Sequence, residues 1–128
     1  MTVDADFLAL LKSAPNLNVW DGIVDANETT KVISVPLPFV LYYGKRTSPE
    51  NLRAGGRAER GNYMAMTCAG ESRLHADLLA DKVEAWLDGK PLGNRTVTFS
   101  DRQLPDRDLR YTRTGGGPIF YTALRFTV

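Results

Sequence analysis

The stretch Glu71 to Lys90, ESRLHADLLADKVEAWLDGK, constrains the fold more than any other part of the chain. Ser72 suits a helix N-cap, because its hydroxyl oxygen accepts from a free first-turn amide, and Gly89 after Asp88 suits a left-handed stop. The spacing predicts a helix over Arg73 to Asp88. At about 100° per residue, Ala76, Leu79, Ala80, Val83, Trp86 and Leu87 share one broad face. Asp77, Asp81, Glu84 and Asp88 form a narrow acidic stripe beside it. A face that wide needs a sheet or a second helix to lie on. Leu74 and Leu78 fall outside it, next to Ala85, so a second apolar surface remains that the subunit's own core does not claim. That remainder is the first sign of a partner subunit.

Before this helix, Asp4 or Asp6 caps a short helix to about Ser13, with Phe7, Leu8, Leu10 and Leu11 as its apolar side and Pro15 closing it. Asn18 to Gly22 reads as a short strand with a turn signal, and Val32 to Val35 as extended. Phe39-Val40-Leu41-Tyr42-Tyr43 is an uninterrupted apolar run ending at Gly44, the pattern of a strand covered on both faces. Lys45 to Arg60 breaks that order with Pro49, Gly55-Gly56, five basic residues and two acidic ones, and reads as a long surface loop. Asn62 to Cys68 is a further strand, and Gly70 turns into the central helix. Asp101 to Arg113 is dense in Arg and Asp, Gly115-Gly116-Gly117-Pro118 reads as a flexible break, and 101–118 is taken as a second long loop. In Ile119 to Val128, Phe120, Thr122, Leu124, Phe126 and Val128 alternate with Tyr121, Ala123, Arg125 and Thr127, the pattern of a half-buried strand. Two helices and about four main strands give a single α+β domain, with both helices on one face of a mixed or antiparallel sheet. The opposite sheet face then needs its own cover, and a neighbouring copy is the natural candidate.

At 128 residues, 43% hydrophobic and 24% charged, the chain is large enough for one core without staples. The formal charge of +1 gives no overall attraction to nucleic acid or membrane. One cysteine, Cys68, excludes an internal disulfide and a Cys-rich zinc site. No apolar run approaches a membrane span, and the opening MTVDADFLALL lacks a basic n-region, so no secretory leader is expected.

The chemistry-bearing residues are few. Clustered carboxylates at Asp77, Asp81, Glu84 and Asp88 are the type that holds divalent cations, but no tight loop wraps them and Arg73 and Lys82 are close, so no metal is expected. Cys68 at a strand end and His75 at a helix start bring a thiol and an imidazole into one region, as nucleophilic catalysis requires, yet no family signature surrounds them. No catalytic residue and no cofactor is expected. Arg53, Arg57 and Arg60 in the Gly-rich loop are suited to meeting carboxylates on a neighbour, such as the acidic helix stripe, or phosphates; a solvated loop is the plain alternative. No aromatic residues interleave with these charges to stack on bases.

The order of pieces resembles a known family. Val-Trp-Asp-Gly-x-Val (Val19 to Val24), Leu-Pro-Phe-Val-Leu-Tyr-Tyr (Leu37 to Tyr43), Met-Thr-Cys-Ala-Gly-Glu-Ser (Met66 to Ser72) and Ala-Asp-Leu-Leu-Ala-Asp-Lys-Val-Glu-Ala-Trp-Leu-Asp-Gly (Ala76 to Gly89), behind a short acidic N-terminal helix, resemble the tail terminator proteins of long-tailed phages, especially those of actinobacterial hosts. The resemblance implies an α+β subunit of a hexameric ring in the virion, at the head-proximal end of the tail tube. Such a ring ends tube polymerisation, contacts the tail tube protein below and a neck or head-completion protein above, and lets the genomic DNA pass without sequence-specific binding. It implies no active site. The alternatives are another neck or tail-completion protein of the same virion, or a small Cys-His enzyme. Candidate interface residues are Arg53, Arg57, Arg60, Leu74, Leu78, Asp77, Asp81 and Glu84.

Overall fold

In the computed structural model, which describes residues 3–22, 26–27, 29–47 and 62–128, the chain runs α1 (Val3–Lys12), β1 (Val19–Asp21), β2 (Ala26–Asn27), β3 (Val32–Ile33), β4 (Phe39–Thr47), β5 (Asn62–Gly70), α2 (Arg73–Leu87), β6 (Pro91–Leu92), β7 (Arg95–Thr96), β8 (Thr98–Arg102), β9 (Asp106–Arg113) and β10 (Pro118–Thr127). The fold is α+β. Both helices lie on one face of a mixed sheet in the order β1-β4-β5-β10-β9-β3-β2, with β8 also paired to β10, and β6 and β7 form a separate small hairpin.

The centre of the sheet is antiparallel, β4 against β5 and β5 against β10. Strand alternation sends Val40, Tyr42, Met64, Met66, Cys68, Leu124 and Phe126 to the helix side, where Ala80, Val83 and Leu87 of α2 and Phe7 and Leu11 of α1 meet them. Burying such aliphatic and aromatic side chains contributes about 1.5–3 kcal/mol each, so this layer holds the fold together. Phe7 stacks on Tyr42, and Phe99 meets Phe126 edge-on.

Local chemistry sets the helix ends as the spacing predicts. The Ser72 hydroxyl accepts from the His75 amide at 3.2 Å, and the Asp88 amide closes on the Glu84 carbonyl. Gly70 ends β5 so close to α2 that a Cβ there would lie 2.7 Å from the Ala76 nitrogen, so no other residue fits without moving strand or helix. The Trp86 indole donates to the Leu10 carbonyl at 3.1 Å and ties the two helices together.

Three features depart from the sequence reading. The sheet has eight strands rather than about four, because β1, β2 and β3 are only two or three residues long and join by backbone pairing without an apolar period of their own. The run 101–118 is not a loop: it contains the end of β8, all of β9 and a tight turn, where the Arg113 and Gly117 backbones bond to each other and lead into β10. Strand β4 also passes through Gly44 to Thr47, across a bulge in which Tyr43 and Gly44 together oppose Ala65. Gly44 sits at φ +99°, a backbone shape that favours glycine.

β8 and β9 lie end to end along one side of β10, β8 beside Leu124–Thr127 and β9 beside Pro118–Tyr121. From there the sheet curls through β9 and β3 onto its own back. Ile33 and Val35 thereby pack with Phe39, Ala69 and Ile119 in a second, smaller cluster on the face away from the helices. Part of the cover expected from a neighbour is thus supplied by the chain itself.

Candidate interaction surfaces

The outer side of α2 carries an apolar ridge. Leu74 is 64% exposed and Leu78, one turn on, 48% exposed, with Ala85 also exposed along the same line. The sequence places these leucines off the core face, and the structure puts both in solvent.

The acidic stripe lies along one flank of that ridge and is engaged within the chain. The Arg102 guanidinium, at the end of β8, donates to Asp77 Oδ1 at 2.8 Å, Asp81 Oδ1 at 2.9 Å and Glu84 Oε1 at 2.9 Å. Burial works against the Arg102 charge, but the bonds to Asp81, Glu84 and Asp77 outweigh it and raise its pKa above the ordinary guanidinium value. The fourth carboxylate, Asp88, accepts from the Phe99 amide at 2.9 Å. The stripe therefore fastens α2 to β8. Sequence reasoning missed Arg102; the available signal was that carboxylates four residues apart repel and want a shared cation. On the other flank Lys82 makes no ion pair among the described residues.

The back of the sheet holds a groove of about 570 Å3, floored by Phe39, Leu41 and Ile119, with Tyr43, Tyr121 and the 106–111 segment of β9 as its walls. That segment arches because β9 is longer than the strand it follows: Pro118 pairs with Thr112 and Phe120 with Arg107, two steps along β10 against five along β9. Asp108 holds the arch, its Oδ1 accepting from the amides of Arg110 at 2.7 Å and Tyr111 at 3.1 Å. Leu109 at the crest is exposed. Asp106 Oδ1 accepts from the Arg107 amide, and neither Asp106 nor Asp108 makes an ion pair among the described residues.

Arg125 grips Asp101 with two hydrogen bonds and lies over the Tyr63 ring, and these three residues line a second, smaller concavity of about 250 Å3. The bond from Arg125 holds the Asp101 carboxyl below the usual range, against the opposing effect of partial burial.

The residues of the Cys-His alternative are separated in environment. Cys68 is wholly buried in the helix-side core, and burial pushes its thiol up to about 12, so it is not a thiolate at neutral pH; His75 is exposed on α2. Arg53, Arg57 and Arg60 lie outside the described residues. No helix among the described residues is long and apolar enough to cross a membrane.

No family model matches the chain, and no curated protein matches it. Among solved structures it is similar to a chain of one described as the virion of a native gene transfer agent (GTA) particle, with 16% sequence identity, 98% of this chain and 85% of that chain covered, and a TM-score of 0.47.

Proposed function

We propose that this chain is a structural virion protein, a phage tail terminator whose copies close into a hexameric ring on the head-proximal end of the tail tube. The ring ends tube growth, offers its other side to a neck or head-completion protein, and lets the genome through without reading it. The motif resemblance over Val19 to Gly89 supports this reading. The observation that carries it is the pair of different apolar surfaces on opposite sides of one sheet, the Leu74–Leu78 ridge and the back groove. Surfaces of that kind suit head-to-tail contact, in which one face of each copy meets another face of the next and growth ends when the rotation closes. Arg53, Arg57 and Arg60 belong in this reading as contacts to virion neighbours. The test is electron microscopy of particles from a phage lacking the protein: overlong tubes without heads are expected, and tails of normal length joined to heads would overturn the proposal.

A further inference from the structure

We infer that the outer edge of β8 is closed to strand addition by two devices within the chain, the Asp88 carboxylate and the extra residue Ser100, so that a second copy cannot extend the sheet there. Among the described residues β8 pairs with β10 alone, and a strand paired on one side offers its outward amides and carbonyls to any other chain. An added strand uses those groups at every second residue.

Along β8 that row is first taken and then broken. The Val97 amide, just before the strand, donates to the Lys90 carbonyl at 2.9 Å, and the Phe99 amide donates to Asp88 Oδ1 at 2.9 Å. Asp88 is the C-cap of α2, so the helix end itself stands where an incoming carbonyl would sit. Beyond Phe99 the register shifts: Phe99 pairs with Phe126, but Asp101 pairs with Arg125 and Arg102 with Leu124. Phe99 and Arg102 are three residues apart, yet both lie on the helix side, one against the Phe126 ring and the other bonded to α2. A regular strand would send them to opposite faces. Ser100, exposed to solvent, is therefore the extra residue. No partnership with β10 requires it, because a strand without it would keep all three pairs in plain alternation. Its effect falls on the free side, where it throws the next outward amide one residue out of step.

The test combines deletion of Ser100 with Asp88→Ala in the full chain, and uses Asp88→Asn as a control that keeps a carbonyl acceptor. Light scattering at matched concentration is expected to give a several-fold higher apparent mass for the combined variant than for the parent, a smaller rise for Asp88→Ala alone and none for Asp88→Asn. Hydrogen exchange should slow at the β8 amides as the mass rises. Thr98→Lys, which adds a charge at an exposed position of the edge, should reverse both effects. A combined variant that is folded by circular dichroism and no larger than the parent would overturn the inference. So would association that leaves β8 exchange unchanged or ignores Thr98→Lys, because it would run through another surface. If the combined variant does not fold, Asp88→Ala alone decides on the same readings. The inference makes no use of the terminator reading, so its failure leaves the tail-length experiment untouched.

Discussion

Removing the cation from the Arg102 hub gives the sharpest test of what holds α2 to the sheet. Arg102→Met keeps the apolar stem and deletes the charge. The guanidinium side chain is 21% exposed, while Asp77 and Asp81 are 45% and 58% exposed, so solvent screening discounts each pair. Exposed pairs contribute about 0.2–1 kcal/mol, and three that share one guanidinium do not add fully, which leaves about 1.5 kcal/mol for the hub. Deleting it also releases repulsion between Asp77 and Asp81 and between Asp81 and Glu84, together about 0.5 kcal/mol at low salt. The sum, about 2 kcal/mol, corresponds to a fall of about 8 °C in Tm for a chain of this size. Urea unfolding at low and high salt checks it, since screening should shrink the loss. Adding Asp77→Asn, Asp81→Asn and Glu84→Gln to Arg102→Met should restore only about 0.5 kcal/mol, the share due to repulsion, because the bonds to the guanidinium stay lost. A loss under about 0.5 kcal/mol at low ionic strength would refute the reasoning and rank the hub with ordinary surface pairs.

Two further substitutions probe the core. The buried Tyr42 hydroxyl donates to Asp4 Oδ1 at 2.5 Å, and burial, that bond and the nearby negative charges of Asp4 and Asp21 all raise its pKa. A phenol whose folded pKa is raised contributes stability that is complete below its unfolded value of about 10 and is lost above it, at about 1.4 kcal/mol per pH unit. Tyr42→Phe should therefore cost about 1–2 kcal/mol at neutral pH and flatten the alkaline fall measured by urea midpoints; parallel profiles for the two proteins would contradict this. Thr122 is fully buried opposite Cys68, and its hydroxyl has no hydrogen-bond partner among the described residues. Thr122→Val should raise stability by about 1 kcal/mol in the same assay, because it removes an unsatisfied polar group at nearly constant shape.

What could be read from the sequence follows from where each element finds its energy. α2 announces itself through its cap, its period and its stop, β4 through an apolar run and β10 through alternation, because these elements are built by side-chain burial. β9 shows no such signal. Its residues Asp106, Arg107, Leu109 and Arg110 are exposed, it is tied to β10 at its two ends, and an arch in the middle makes any period unreadable. β8 is hidden for a related reason: Arg102 looks like one more surface charge until β10 brings it beneath α2. The expectation that the back face wants a cover was sound in kind, but a curl that brings Ile33 and Val35 over Phe39 depends on strands too short to be seen in a pattern.

The in-chain use of the acidic stripe moves the burden of assembly onto apolar contact. A carboxylate already bonded to Arg102 gains little from a second cation at an exposed site. The ridge still has something to gain: full burial of a leucine is worth about 1.5–3 kcal/mol, and about half of each is still exposed, so seating both contributes about 2–3 kcal/mol. Association costs about 4–15 kcal/mol in lost rigid-body freedom, so the ridge alone should not hold two copies together in dilute solution. In the proposed ring, such a contact becomes effective because closure presents neighbours at high local concentration. On the function proposed above, a subunit built this way stays dispersed until a tube end gathers its neighbours, which a stronger, charge-driven contact between free copies would not allow.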